Sequence, residues 1–404
     1  MQRQESDRIV ILDLLRGIAL LGMILVHFND KAMATSGLGK FTSAFVELFV
    51  ENKSYTTFAM LFGVGFALQI RAAQARGEAS QLRLLRRLLG LGLFGIIAEG
   101  VFGFGVLIGY AMWGVPLLVM WRWSARALLI ATVLCAASLS LFELSAGAYQ
   151  WATLGVESTR AANKKATVSQ RATRAALRTA ETQASFTSVV AARMKHLPWQ
   201  HTRSFAFTPW GPMVVFLVGL LALRHGILEH PEQHQRLIVG AMAAGVLSWA
   251  ISHWVLPLPW PVLPIGRVAG PIREGFRIIR DDWLALTYIG AVLLVTSSWP
   301  KLVAGLDWFV GAGRLALTNY MIQIVVIDVL TREYGFKVKL SAEHAPFAAF
   351  GLFAVLALFS RYWLQGFRTG PCEWLLRAIT YWKIEPMRRG AEAASVMGAP
   401  AKSK

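Results

Sequence analysis

Residues 9–28 read IVILDLLRGIALLGMILVHF. At about 1.5 Å per helical residue, a run of this length matches the ~30 Å hydrocarbon core of a bilayer. It is apolar except for Asp13, Arg16 and His27. A charged side chain at the centre of a membrane helix costs at least ~2.5–3.5 kcal/mol on insertion scales, so it is kept where it has a partner or a task. Ten residues separate Arg16 from His27, about 16 Å of helical rise. Steps of ~100° per residue bring both side chains back to one stripe. That stripe, a cation towards one end and an imidazole at the other, is expected to face the interior of a helix bundle.

Working outward, the 404 residues are 55% hydrophobic and 16% charged, against about 25% charged in soluble domains. The composition specifies an all-α polytopic membrane protein. Net charge is +18, from 41 Lys+Arg against 23 Asp+Glu. With no nucleic-acid-binding signature, this charge reads as basic loops facing the cytoplasm and anionic membrane lipid. Cys135 and Cys372 are the only cysteines. They build neither a disulfide framework nor a metal site. Ala32-Met33-Ala34 has the look of a leader cleavage site, but Asp13 and Arg16 interrupt the apolar stretch, which also exceeds the usual ~7–15 residues. The segment is therefore read as a retained helix. No phosphate-binding loop, dinucleotide fingerprint or HExxH motif occurs, and no internal repeat is visible.

Further apolar runs lie near 55–73, 84–104, 105–121, 126–146, 208–225, 237–256, 283–299, 308–330 and 345–365, so about ten transmembrane helices are expected. Gly100, Gly103, Gly105 and Gly109 make 84–121 the region most prone to a turn or a broken helix. Arg71, Arg76, Arg83, Arg86, Arg87, Arg122, Arg126, Arg224, Arg236 and the arginines from Arg361 to Arg389 all fall on one side if both termini are cytoplasmic. An even helix count agrees. Residues 1–390 then form a single integral-membrane domain, and 391–404 a disordered tail. Two connections face outward: the polar, helix-permissive stretch 147–207, as a surface helix or a lid, and the Pro/Arg-rich stretch 257–282 with Arg267, Arg273, Arg277 and Arg280.

Four segments carry a resemblance: LDLLRGIALLGMILVHF at 12–28, FAMLFGVGFALQIRAAQARG at 58–77, GAGRLALTNYMIQ at 311–323 and RYWLQGFRTGPCEWLLRAITYW at 361–382. Together they resemble the domain-of-unknown-function 418 (YeiB-like) family of bacterial inner-membrane proteins. That family is grouped with transmembrane acyltransferases, which carry an acyl group from cytoplasmic acyl-CoA to an acceptor beyond the membrane. Their hallmark is an arginine and a histidine on the first helix with ten residues between, which Arg16 and His27 match. Many YeiB-like members carry asparagine where this chain has His27. The family's aspartate before a Tyr-Ala pair is missing near Gly105, and Glu99 stands where a histidine often ends the third helix. The resemblance thus implies acyl transfer with an acidic residue relocated or lost.

The residues support the same chemistry. Acyl transfer needs a base near neutrality, for which His27 is the candidate. Asn29, Asp30 or Glu99 would orient it. Arg16 would steady the donor, Arg83, Arg86 and Arg87 its nucleotide phosphates. Asp13, Arg314 and Asn319 complete the candidate site, with Thr318, Gln323 and Asp328 as polar neighbours. Arg314, Thr318 and Asp328 are expected on one helix face. The plainer readings are an Asp13–Arg16 ion pair, basic residues that only set topology, and interhelical hydrogen bonding. Glu373 is expected to pair with a nearby arginine. The expected partners are membrane lipid, acyl-CoA as a substrate rather than a resident cofactor, and an extracytoplasmic glycan, lipid or amphiphile. Homo-oligomers are compatible with the sequence. The rival readings are a transporter or a non-enzymatic accessory membrane protein, in which Arg16, His27 and Arg314 line a permeation route or carry protons, and a degenerate acyltransferase fold kept for partner binding. An acyltransferase should have a tunnel from the basic face to His27; a transporter should have a closed central cavity.

Overall fold

The computed structural model describes residues 2–77, 81–182, 185–207, 211–251, 269–299, 301 and 305–389, and those residues fold almost entirely into helices. The central helix is α1 (Gln2–Asn29). Against it pack α2 (Gly37–Phe49), α3 (Lys53–Ala75), α11 (Ala269–Ser298), α12 (Asp307–Arg314), α13 (Ala316–Thr331) and α14 (Ala345–Gly366). Outside this ring lie α4 (Gln81–Ile96), continued by a π-helical turn at Ile97–Val101, then α5 (Leu107–Gly114) and α6 (Leu117–Met120). The chain goes on through α7 (Ala125–Glu181), α8 (Phe186–Phe207), α9 (Gly211–Arg224) and α10 (Gln235–Ala250) to α11, and it ends in α15 (Pro371–Tyr381).

Among the described residues, Val10–Asn29, Gly37–Ala75 and Ala345–Gly366 are long and apolar enough to cross a membrane. A further candidate is the pair α12–α13, bent by 86°. Ala125–Ser138, Pro212–Arg224 and Trp283–Ser298 are shorter apolar helices. Two expected spans are thus broken. Run 105–121 divides before Pro116, which has no N–H to continue the ladder. Run 308–330 divides at Leu315, so Arg314 sits on a different helix from Thr318 and Asp328 and shares no face with them. The stretch 147–207, expected to be polar and helical, is helical over 147–181 and 186–207 with a kink at Gly155 (φ 72°), but it is not wholly a surface element, since Val189 and Arg193 of α8 are buried. The connection expected to run to 282 is already helix α11 from Ala269; Arg273, Arg277 and Arg280 lie on it, while Arg267 is outside the described residues.

Irregular backbone inside a membrane bundle needs its polar groups satisfied by protein. The α12–α13 break does this with two side chains. Glu373 accepts from the backbone N–H of Leu317 (2.7 Å) and Thr318 (3.1 Å) and from the Thr318 hydroxyl (2.5 Å), capping α13. Asn319 donates to the Ala312 carbonyl (3.0 Å) and to Ser360 (2.8 Å), taking up a carbonyl freed at the end of α12. Among the hydrogen bonds and ion pairs identified, Glu373 therefore binds α13 and not an arginine.

The bundle has two distinct ends. At one, Arg71 pairs with Glu229 (2.7 Å) and Arg224 donates to the Trp123 carbonyl (2.6 Å), with Arg76 at the end of α3 and Arg122 beside Trp123. At the other, Met33 bridges to Ser341, and Ser36 donates to Glu343 (3.0 Å). Hydrogen bonds from its own backbone amide and from Ser36 hold the Glu343 carboxyl below its ordinary value.

Candidate active site

Two glycines bring α12 onto α1. A Cβ on Gly17 would run into the Phe309 carbonyl, and one on Gly313 into the Asp13 carbonyl, so the backbones touch where side chains would hold them apart. This contact sets Arg314 beside Asp13 and Arg16, which form a 2.6 Å ion pair one helical turn apart. Arg87 of α4 joins them. Arg16, Arg87 and Arg314 line one cavity of about 260 Å³, together with Glu373, Tyr110 and Tyr320. Three guanidiniums against one carboxylate in the lining leave this cavity with a net excess of positive charge.

The stripe expected on α1 is present. Arg16 and Met23 both line the cavity, and His27 lies one turn beyond Met23. His27 is 4% exposed. Its ring lies 4.5 Å from that of Phe104, 6.4 Å from Tyr55 and 6.5 Å from Tyr320. Its Nδ1 is buried with no hydrogen-bond partner among the described residues, and the same holds for Asn29 Oδ1. A buried polar atom without a partner typically costs ~1–3 kcal/mol, so such an atom calls for an explanation. The cavity reaches Met23, Tyr110 and Tyr320 and stops there. Tyr320 donates to the Phe104 carbonyl (3.2 Å) and Tyr110 to the Tyr55 carbonyl (2.7 Å), so hydrogen-bonded aromatic residues close the space beside His27.

Among the described residues, no carboxylate is hydrogen-bonded to His27. Glu99, in the π turn, instead pairs with His201 of α8 at 2.7 Å. Its carboxyl occupies the space a side chain at Gly105 would need. His201 was not among the residues singled out from sequence. The signal for it is Arg193, Leu197 and His201 at successive i+4 steps, in a stretch read as a polar surface helix or lid. Arg193 is 3% exposed at its side chain and clasps Asp328 (3.0 Å), which also accepts from Arg332 (3.1 Å) and from Tyr334. The clasp fastens α8 over the π turn.

The remaining candidates separate. Of the three basic residues on α4, Arg87 enters the cavity. Arg83 stacks over Tyr381 (5.0 Å) and Arg86 over Trp382 (5.4 Å). Asp30 is exposed beyond the end of α1, and Asn319 is fully buried in its structural bonds.

Comparison with known proteins extends this geometry. Residues 222–383 match the family described as protein of unknown function (DUF418), and residues 8–166 match the catalytic part of heparan-alpha-glucosaminide N-acetyltransferase. The first segment holds Arg314, Asn319 and Glu373; the second holds Asp13, Arg16, His27, Arg87 and Glu99. His201 lies between them. The uncharacterized protein YxaH of Bacillus subtilis is 26% identical over 95% of this chain and 97% of its own. The uncharacterized protein YeiB of Escherichia coli is 25% identical over 93% and 96%. No solved structure matches. The DUF418 match over residues 222–383 and the end-to-end alignment with YxaH and YeiB together support a YeiB-like DUF418 protein.

Proposed function

We propose that the protein is a membrane acyltransferase that moves an acyl group, an acetyl in the simplest case, from cytoplasmic acyl-CoA to a hydroxyl or amine acceptor beyond the inner membrane. The observation that carries the proposal is a single helix bearing an arginine-lined cavity at Arg16 and a buried imidazole at His27 whose Nδ1 has no partner among the described residues. The likeness of residues 8–166 to the catalytic part of an N-acetyltransferase supports the same chemistry.

In this reading the donor enters at the basic end. Arg16, Arg87 and Arg314 hold its anionic portion, since guanidiniums pair with phosphate in a bidentate, charge-assisted way. The cavity is below the ~300–1,000 Å³ of pockets that enclose a whole drug-sized ligand, so it receives an arm of the donor. The thioester reaches His27 when the aromatic residues at Tyr110, Tyr320 and Phe104 move aside. One imidazole nitrogen takes the acceptor proton as its oxygen or nitrogen attacks the thioester carbon. The carbon–sulfur bond then breaks, and the thiolate leaves with the proton returned from the imidazolium.

A cavity that closes short of His27 is also what the transport reading requires. The two are separated by giving purified protein acetyl-CoA labelled in its acyl group, with an envelope extract as acceptor. Labelled product together with free CoA supports the acyltransferase. Acetyl-CoA left intact, with neither binding nor consumption, replaces it with transport.

A further inference from the structure

A second cavity, of about 330 Å³, opens at the basic end between α3, α9 and the α6–α7 turn. Its floor is Ala67, Ile70, Leu220 and Leu223, all buried and apolar. The polar groups above that floor come from Arg71, Gln74, Trp121 and Arg224. Both guanidiniums and the indole offer only donors, and no carboxylate lines the space. Glu229 takes one Arg71 nitrogen from outside the lining, and the Trp123 carbonyl takes one from Arg224. Neither contact uses all the donors of an arginine, which has five. The Trp121 N–H is buried and has no acceptor among the described residues. Donors over an apolar floor, at the end of the bundle that also carries Arg76 and Arg122, make an amphiphilic anion site.

We infer that this cavity binds a phosphate monoanion or diester, with Arg71 and Arg224 on its oxygens and the Trp121 N–H donating to one of them. The apolar floor matches the first carbons of an acyl chain, so the phosphate is expected to be that of an anionic lipid headgroup. This site is separate from the Arg16–Arg87–Arg314 cavity and does not depend on acyl transfer.

The test uses the full-length protein, purified in detergent and exchanged against phosphatidylglycerol, with retained lipid counted by native mass spectrometry. The parent should retain it. Arg224→Gln and Arg71→Gln should each weaken retention by about tenfold or more, as loss of a charge-assisted bond does. Trp121→Phe, which keeps the ring and removes the N–H, should weaken it severalfold. A competing arm adds inorganic phosphate: displacement of the lipid by phosphate alone supports the anion site and assigns it to the free ion, and resistance assigns it to the lipid. If the parent retains neither, or if Trp121→Phe and Arg224→Gln retain phosphatidylglycerol as the parent does, the inference is overturned.

Discussion

Replacing Glu373 by alanine should damage the protein more than its surface-end position implies. The carboxylate accepts three hydrogen bonds, of 2.7, 3.1 and 2.5 Å, two of them from backbone N–H groups at the start of α13. Hydrogen bonds to a charged group contribute about 1.5–3 kcal/mol each, and they are not additive. Loss of an ordinary helix cap costs about 1 kcal/mol. Here the break lies inside the bundle, where the freed amides find little water, so the expected loss is about 3–5 kcal/mol. Glu373→Gln keeps one acceptor oxygen and should lose about 1–2 kcal/mol on the same scale. Thermal unfolding of purified protein in detergent, followed by circular dichroism, reads both. A loss below about 0.5 kcal/mol for Glu373→Ala, the level of an ordinary surface substitution, would refute the claim that this carboxylate holds the break.

Three further outcomes follow. Gly313→Ala should push α12 off α1, costing about 1–3 kcal/mol as overpacked sites do and reducing acetyl-CoA affinity by displacing Arg314; equilibrium binding and unfolding together check it. Arg87→Gln should weaken acetyl-CoA binding by about tenfold, whereas Arg86→Gln, stacked on Trp382 outside the cavity, should change it less than threefold; equal losses would contradict the assignment. Because Glu343 is depressed in the folded protein, its contribution is present at neutral pH and fades as pH falls through that depressed value. Proteolysis of the 32–38 segment should therefore rise with acidification in the parent, and Ser36→Ala should weaken the dependence.

The α1 site was readable because a charged residue in an apolar run and a period of 3.6 are both local signals. Arg16 and His27 needed nothing else to be found. The α12–α13 break had no local signal: Leu315 is neither glycine nor proline, and the break is held by Glu373, far along the chain. Thr318 and Arg314 were therefore set on one face when a sharp bend divides them. Arg83, Arg86 and Arg87 are indistinguishable in sequence, and only the packing of α4 against α15 sends one of them into the cavity. Glu99 shows the same limit: its place against Gly105 and beside His201 depends on a π turn and on the packing of α8, neither of which its neighbours in sequence announce.

The central claim is that His27 is the base of an acyl transfer. Its most direct test is single-turnover transfer of labelled acetyl from acetyl-CoA to envelope acceptors by the parent and by His27→Asn. The substitution keeps a polar side chain of similar reach and removes the base. The account predicts that transfer falls by about 10²–10⁴-fold, as loss of a general base does, while acetyl-CoA binding at the arginine cavity stays within a few-fold of the parent. Transfer by His27→Asn at the parent's rate would contradict it.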